Sequence, residues 1–300
     1  MLENPGLRSQ DRYIIIQADD YGISPHANEG IQDMFLSRSI TSASIMMPCS
    51  WAAEAAAFCK RNAHVNAGIH LTLCSSGDAG YRPVFQGHRA GSVMNRNGFL
   101  PREMYTIERY ADAMEVKAEL DAQIQSAIAL GVDPTHLDTH AGCLMGFAVG
   151  RDFLELAFEL CEQYGLPFNL PRRIVSQPFF SKEQRHLFQQ RIAEADRRGI
   201  MLIDHIIALP YELEDGEEYG RFKVRMEQEI RATEPGITQI LLHPALFSAH
   251  ARAATPHAEK REWEHRLFSD PQIKELFDQE NIRLLSWREL RDAQRSMKGI

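Results

Sequence analysis

The stretch Ile14-Ile15-Ile16-Gln17-Ala18-Asp19-Asp20-Tyr21-Gly22 constrains this chain more than any other. It reads as a short apolar strand that runs into two adjacent carboxylates and a glycine. Neighbouring side chains on a strand point to opposite faces, so Asp19 and Asp20 cannot share one orientation while the strand stays regular. At a strand end they can divide the work: one carboxylate can bind a metal while the other stays free as a base. The format recurs in Ala67-Gly68-Ile69-His70-Leu71, in Thr135-His136-Leu137-Asp138-Thr139-His140 and in Gln239-Ile240-Leu241-Leu242-His243-Pro244. Four strand-end clusters of Asp and His read as a metal hydrolase.

The rest of the chain alternates in the same rhythm. Candidate strands are 13–18, 42–47, 66–71, 135–138, 167–170, 201–206, 238–242 and 282–286, short and apolar as buried parallel strands are. Helical patterns lie between them. Ser24 and Pro25 open one that runs to about Ser37, and Ser50 is placed to cap Trp51–Lys60. Glu108–Leu130 reads as one long helix ending at Gly131, and Arg151–Tyr164 as one ending at Gly165. Further helices fit Lys182–Arg198, Glu217–Thr233, Lys260–Phe268, Pro271–Gln279 and Trp287–Ser296. This alternation implies an α/β fold with a parallel sheet, open or closed into a barrel. No linker divides residues 1–300, so a single domain is expected. The segment Cys74–Thr106 breaks the rhythm with few periodic apolar positions and many glycines and prolines. A loop this long is either functional or an insertion on the surface. It follows the His70 strand directly, which makes it the candidate substrate loop, with Tyr81 and Phe85 as its candidate aromatic contacts.

Composition narrows the class. The 44% hydrophobic content fills a sizeable core, and no apolar run is long enough for a transmembrane helix. The polar first twelve residues lack the apolar centre of a secretion signal. Five cysteines without a CxxC pair suit free thiols in a reducing cytoplasm. A net charge of −8 with scattered basic residues argues against nucleic acid as substrate and favours a neutral or cationic small molecule.

In α/β folds, catalytic residues gather at the C-terminal ends of strands. Asp19, Asp20, His70, His140 and His243 all stand there. A catalytic divalent ion takes about three protein ligands and keeps a position open for water. Asp20, His70 and His140 supply that count. A metal lowers the pKa of bound water and polarises a carbonyl, as amide or ester hydrolysis requires. Asp19 is then left as the base, and His243 as the acid that protonates a leaving amine. A ligating His usually donates its other N–H to a carboxylate or carbonyl, and Asp138 is placed to receive it. Each residue has a plainer reading too. A lone buried His at a strand end is more often a hydrogen-bonded core residue than a ligand, and His136 and Asp138 could be polar residues at a rim. The remaining histidines read as solvated, with His205 ambiguous. The weight lies in the coincidence of the five positions.

At these residues the chain resembles the YdjC-type carbohydrate deacetylases, the chitooligosaccharide deacetylase type. The resemblance rests on Ala18–Gly22, Asn28, Thr41–Ser44, Gly68–Leu71, Thr135–His140, His243-Pro244-Ala245 and Leu284–Leu290, in that order along nearly the whole chain. It implies a TIM-barrel-like (β/α) barrel and a divalent metal, Mg or Zn, on Asp20, His70 and His140. It puts the base on Asp19 and the acid on His243. The implied activity is removal of acetyl groups from N-acetylated mono- or oligosaccharides, and such proteins are often homodimers. Two departures stand out. Ala141-Gly142 follows His140 where many relatives carry another His, and Ala245 replaces the Gly of a His-Pro-Gly turn. The first bears on the sugar or acyl group more than on the metal. Two imidazoles with a carboxylate suit zinc, whereas magnesium prefers oxygen.

Two rival functions make different demands. A metal phosphoesterase would need cations at strand ends to hold phosphate, and Arg172 with Arg173 are the candidates. A non-catalytic sugar or metal sensor would lack the base or the acid, yet Asp19 and His243 are both present.

Overall fold

The computed structural model describes residues 7–8, 10–76, 80–87, 91–246 and 257–299. His88 and His250, expected on the surface, and parts of the 74–106 loop lie outside the described residues. Seven strands are seen among the described residues: β1 (Arg12–Tyr21), β2 (Ser42–Ile45), β3 (Ala67–Leu71), β4 (Leu137–Thr139), β5 (His205–Ile207), β6 (Gly236–Leu242) and β7 (Ile282–Leu284). All pair in parallel in the order β4-β3-β2-β1-β6-β5. β7 pairs with the first residues of β1, Arg12 to Ile14, while β2 pairs further along it from Gln17.

Two expected strands are reduced to fragments. In 167–170 only Phe168 bridges Leu137, because Pro167 and Pro171 have no N–H to give to a ladder. In 201–206 a regular strand begins only at His205; the N–H of Met201 goes instead to the Gln294 side chain at 2.7 Å. Single backbone hydrogen bonds, Phe168 N–H to Met201 O and Asp204 N–H to Ile237 O, still carry the sheet from β4 round to β6. The result is a curled, irregular TIM-barrel-like sheet surrounded by helices.

The helices are α1 (Pro25–Leu36), α2 (Ala52–Arg61), α3 (Met104–Tyr110), α4 (Ala113–Ala129), α5 (Leu154–Tyr164), α6 (Lys182–Arg198), α7 (Tyr219–Arg231), α8 (Ala258–Ser269), α9 (Pro271–Gln279) and α10 (Trp287–Lys298). Ser24 caps α1 through the Ala27 N–H, and Gly165 and Gly199 end α5 and α6 in the left-handed conformation. Two expectations fail. Ser50 does not cap α2, whose first turn follows Trp51 without a side-chain cap. The single helix expected over 108–130 is two, because Asp112 takes an extended backbone and its carboxylate accepts the Met114 and Glu115 N–H groups. Capping the second helix is the local alternative to continuing the first.

The alternation of β1 sorts its side chains into two sets. Ile14, Ile16 and Ala18 pack in the main core with Ile31 and Met34 of α1. Tyr13 and Ile15 face the other way and form a smaller core with Met201, Ile203, Ile237 and Trp287. Gln17 and Asp19 continue that inward face, but with polar groups. The barrel interior is thus an apolar plug at the bottom and a buried polar layer above it.

Candidate metal centre

Asp20 should point outward with Ala18. Its backbone instead turns left-handed, with φ of 62°, and the β1–β2 register shifts between Ala18 and Tyr21. A non-glycine residue in this region costs about 1–3 kcal/mol and is held there only by its surroundings. The turn is fastened behind it: the Asn28 side chain accepts the Gly22 N–H at 2.8 Å and donates to Trp51 O at 3.1 Å. Gly22 itself has φ of 100°, and a Cβ there would sit 2.9 Å from Ala52 Cα. Both carboxylates consequently reach the same histidine. Asp19 Oδ2 lies 3.8 Å from His70 Nδ1, and Asp20 Oδ1 lies 3.8 Å from His70 Nε2.

His70 is oriented from one side. Asp138 Oδ1 is 2.8 Å from its Nδ1. A carboxylate can only accept, so Nδ1 carries the proton and Nε2 faces Asp20. Burial works against a charged imidazole, but Asp138, Asp19 and Asp20 together raise the pKa of His70 to about 10. Burial raises Asp19 well above the usual carboxylate range, pulled back by His70 and pushed further by Asp138 and Asp20. Burial also disfavours ionised Asp20, yet Arg261, His140 and His243 hold its pKa well below the ordinary value.

Asp20, His70 and His140 each present one ligand atom, and the three atoms lie within 4.8 Å of one another. Asp20 Oδ1 and His140 Nε2 are buried without a hydrogen-bond partner. Buried polar atoms are rarely left unpaired. Two imidazoles and a carboxylate, with unpaired atoms among them, fit a divalent cation. Asp19, His70 and Asp138 form a second such grouping, but the hydrogen bond from Nδ1 to Asp138 already occupies it.

A polar layer supports this cluster. Gln17 Nε2 donates to Asp19 Oδ1 at 3.1 Å and to Asp138 Oδ2 at 3.3 Å, and meets His136 Nε2 at 3.1 Å. Ser44 donates to Asp19 Oδ1 at 3.1 Å. His136 is fully buried and stacks on Trp287 with ring centroids 4.7 Å apart. Its place is allowed by Gly68, where a Cβ would strike the imidazole and lie 2.6 Å from the His136 carbonyl.

His243 stands at the end of β6. Its N–H donates to Glu264 Oε2 at 2.6 Å, and its ring meets Tyr211 edge-on at 4.8 Å. Burial lowers its pKa to about 3, against the pull of Asp20. The imidazole is therefore neutral at neutral pH. Tyr81 comes from the long loop and lies 6.4 Å from the His140 ring; its hydroxyl pairs with Ser76 at 2.7 Å. Phe85 packs on the main core, and its N–H donates to Glu119 at 2.8 Å. Arg172 is engaged elsewhere, in a two-pronged pair with Asp196 at 2.6 and 3.1 Å.

The residues that sequence reasoning missed are Gln17, Ser44, Tyr211, Arg261 and Glu264. Arg261 Nη2 lies 2.5 Å from Asp20 Oδ2 and also contacts the Tyr211 hydroxyl, while Nη1 donates to His243 O at 3.3 Å. The available signal was placement: Arg261 and Glu264 are charged residues on the core-facing side of α8, beside Leu267 and Phe268.

The family model described as YdjC-like protein matches residues 13–279. The chain belongs to the YdjC-like protein family. This YdjC-like protein is 28% identical over 298 residues to a carbohydrate deacetylase of Thermus thermophilus, covering 98% of each chain. It is 27% identical over 276 residues to a carbohydrate deacetylase of Thermoanaerobacter pseudethanolicus, covering 92% of this chain and 98% of that one. Its fold is similar to that of a solved Enterococcus faecalis V583 protein described as a cellobiose-phosphate cleavage protein. That match has a TM-score of 0.73 at 22% identity over 93% of this chain and 99% of the other. No helix among the described residues is long and apolar enough to cross a membrane.

Proposed function

We propose that this YdjC-like protein removes acetyl groups from an N-acetylated saccharide, using a divalent metal held by Asp20, His70 and His140. The observation that carries the reading is the convergence of these three buried ligand groups, with Asp20 Oδ1 and His140 Nε2 unpaired, at the C-terminal ends of β1, β3 and β4. Relatives named carbohydrate deacetylase over nearly the whole chain support the substrate class. A bound divalent ion would polarise the acetyl carbonyl and make water a better nucleophile.

The protein groups divide the proton traffic. Asp19 is raised in pKa by burial and is aligned by Gln17 and Ser44, which suits a base that must take a proton and later release it. His243 faces the same cluster from β6. It is neutral before reaction, so the proton it gives to the leaving nitrogen would be the one that the attacking water gives up to Asp19, passed on through His243. Asp138 does not touch the reacting atoms in this scheme; it keeps the tautomer and direction of His70. Zinc matches the donor set by softness, and magnesium is the alternative. The phosphoesterase reading loses its cations, since Arg172 is paired with Asp196 and Arg173 with Glu234.

The test is acetate release from a panel of N-acetylated mono- and oligosaccharides. The chelator-treated protein is assayed alone and with zinc, magnesium, cobalt or manganese. Metal-dependent acetate release is the expected result. Release that persists unchanged in chelator, or phosphate release from phosphosugars without acetate release, would overturn it.

A further inference from the structure

Arg261 is buried, and one nitrogen of its guanidinium, Nη2, is set on one oxygen of Asp20. Asp20 is therefore divided: Oδ2 is taken at 2.5 Å, while Oδ1 has no hydrogen-bond partner and faces His70 and His140 at 3.8 and 3.4 Å. A free carboxylate can chelate through both oxygens; one clamped in this way has one oxygen left to give. The clamp also supplies charge. Asp20 sits in a buried cluster with Asp19 and Asp138 close by, and Arg261 is the only guanidinium on it among the described residues. A buried carboxylate stripped of its ion-pair partner is strongly unfavourable.

The anchor of Arg261 is as telling as its target. α8 carries it, and the same side chain meets the Tyr211 hydroxyl from the loop after β5 and the His243 carbonyl at the end of β6. One turn on, Glu264 accepts the His243 N–H. A single helix thus fixes both the carboxylate of the metal cluster and the backbone of the histidine facing it.

We infer that Arg261 is a positioning residue of the metal site: it acts as the buried counter-charge that holds Asp20 in place before the cation arrives, and it restricts Asp20 to binding through Oδ1. The inference rests on the metal reading above. It asks for no contact between Arg261 and substrate. Where a cation enters, the charge of Asp20 is shared between the cation on one oxygen and the guanidinium on the other. Without Arg261, the cation becomes the sole partner of the carboxylate, and both oxygens become available to it.

The experiment compares the full-length protein with Arg261→Met, Arg261→Gln and Arg261→Lys. Each is unfolded thermally in chelator and again with saturating Co²⁺, and the visible d–d spectrum of the Co²⁺ form is recorded. Arg261→Met should lose stability in chelator, and Co²⁺ should raise its Tm by at least about 5 °C more than it raises that of the parent. Its Co²⁺ bands should weaken and shift as Asp20 binds through two oxygens. Arg261→Lys restores the charge and should bring the Tm gain back toward the parent value. If Arg261→Met does not fold, Arg261→Gln, which keeps an N–H donor but no charge, carries the same comparison. Equal Tm gains and one common spectrum in parent and neutral variants would overturn the role of Arg261 while leaving the metal site standing. No Tm gain and no d–d bands in the parent would instead overturn the metal site, and this inference with it.

Discussion

Asp138 holds His70 by the nitrogen that faces away from Asp20: Oδ1 is 2.8 Å from Nδ1, and the opposite ring nitrogen is turned toward the ligand cluster. The bond sets the tautomer, and the remaining carboxylate oxygen is itself held by Gln17 at 3.3 Å. The imidazole is locked before any ligand arrives. A loose imidazole would have to be ordered on binding.

Removing that lock should weaken the metal. We expect Asp138→Ala to lower metal affinity by about 10–100-fold, the usual range for a lost hydrogen bond behind a ligating histidine. Competition with a chromophoric chelator measures it. An unchanged affinity would mean that Asp138 has no part in orienting His70.

Asp19 and Asp20 should fail in different ways. Asp20→Asn removes an anionic ligand, so metal content and acetate release should fall together. Asp19→Asn leaves the three ligands in place and should cut kcat by about 10²–10⁴-fold with near-normal metal content. Metal analysis beside steady-state kinetics separates the two. Metal loss in Asp19→Asn with retention in Asp20→Asn would exchange their roles.

Gly68 has no room for a methyl group against His136. Gly68→Ala should push the imidazole off its stack on Trp287 and destabilise the fold by about 1–3 kcal/mol, as overpacking in a tight interior does. Urea unfolding at fixed pH reads the change. A variant as stable as the parent would show that this layer yields easily.

Glu264 should make stability depend on pH. Burial raises its carboxyl from about 4.5 to about 7, opposed by the His243 N–H and by Arg261. The folded state therefore binds a proton, between those pH values, that the unfolded chain has released. The stabilising contribution is fully present below about pH 4.5 and is lost as pH rises through 7. We expect Glu264→Gln to remove up to about 3 kcal/mol of the stability difference between pH 5 and pH 8. Urea unfolding across that range, parent against variant, checks it. Parallel profiles for the two proteins would place the titration elsewhere.

Much of the framework was legible along the chain because its signals are local. Lys182–Arg198 and Pro271–Gln279 matched at both ends, since Ser181 and Asp270 cap them and Gly199 stops the first. The broken expectations were competitions between neighbours that periodicity cannot weigh. Asp112 could extend one helix or cap the next, and Pro167 and Pro171 made the 167–170 strand a single bridge. Among the site residues, Asp20, His70 and His140 announced themselves by type and by place at strand ends. Arg172 did not join them, because Asp196 on α6 claims its guanidinium.

The sequence by itself determined the strand–helix order, the family and the residue types able to hold a cation, because strand periodicity, capping residues and ligand chemistry are properties of short segments. Only the tertiary structure decided how those residues meet. A period of two sends Asp19 inward and Asp20 outward; packing of the Gly22 turn against Asn28 and Ala52 rotates Asp20 back toward His70. Arg261 lies 241 positions further along the chain from Asp20, and no local rule joins them. They pair because α8 packs beside the end of β1, and a buried carboxylate there is stable only with a cation at its side.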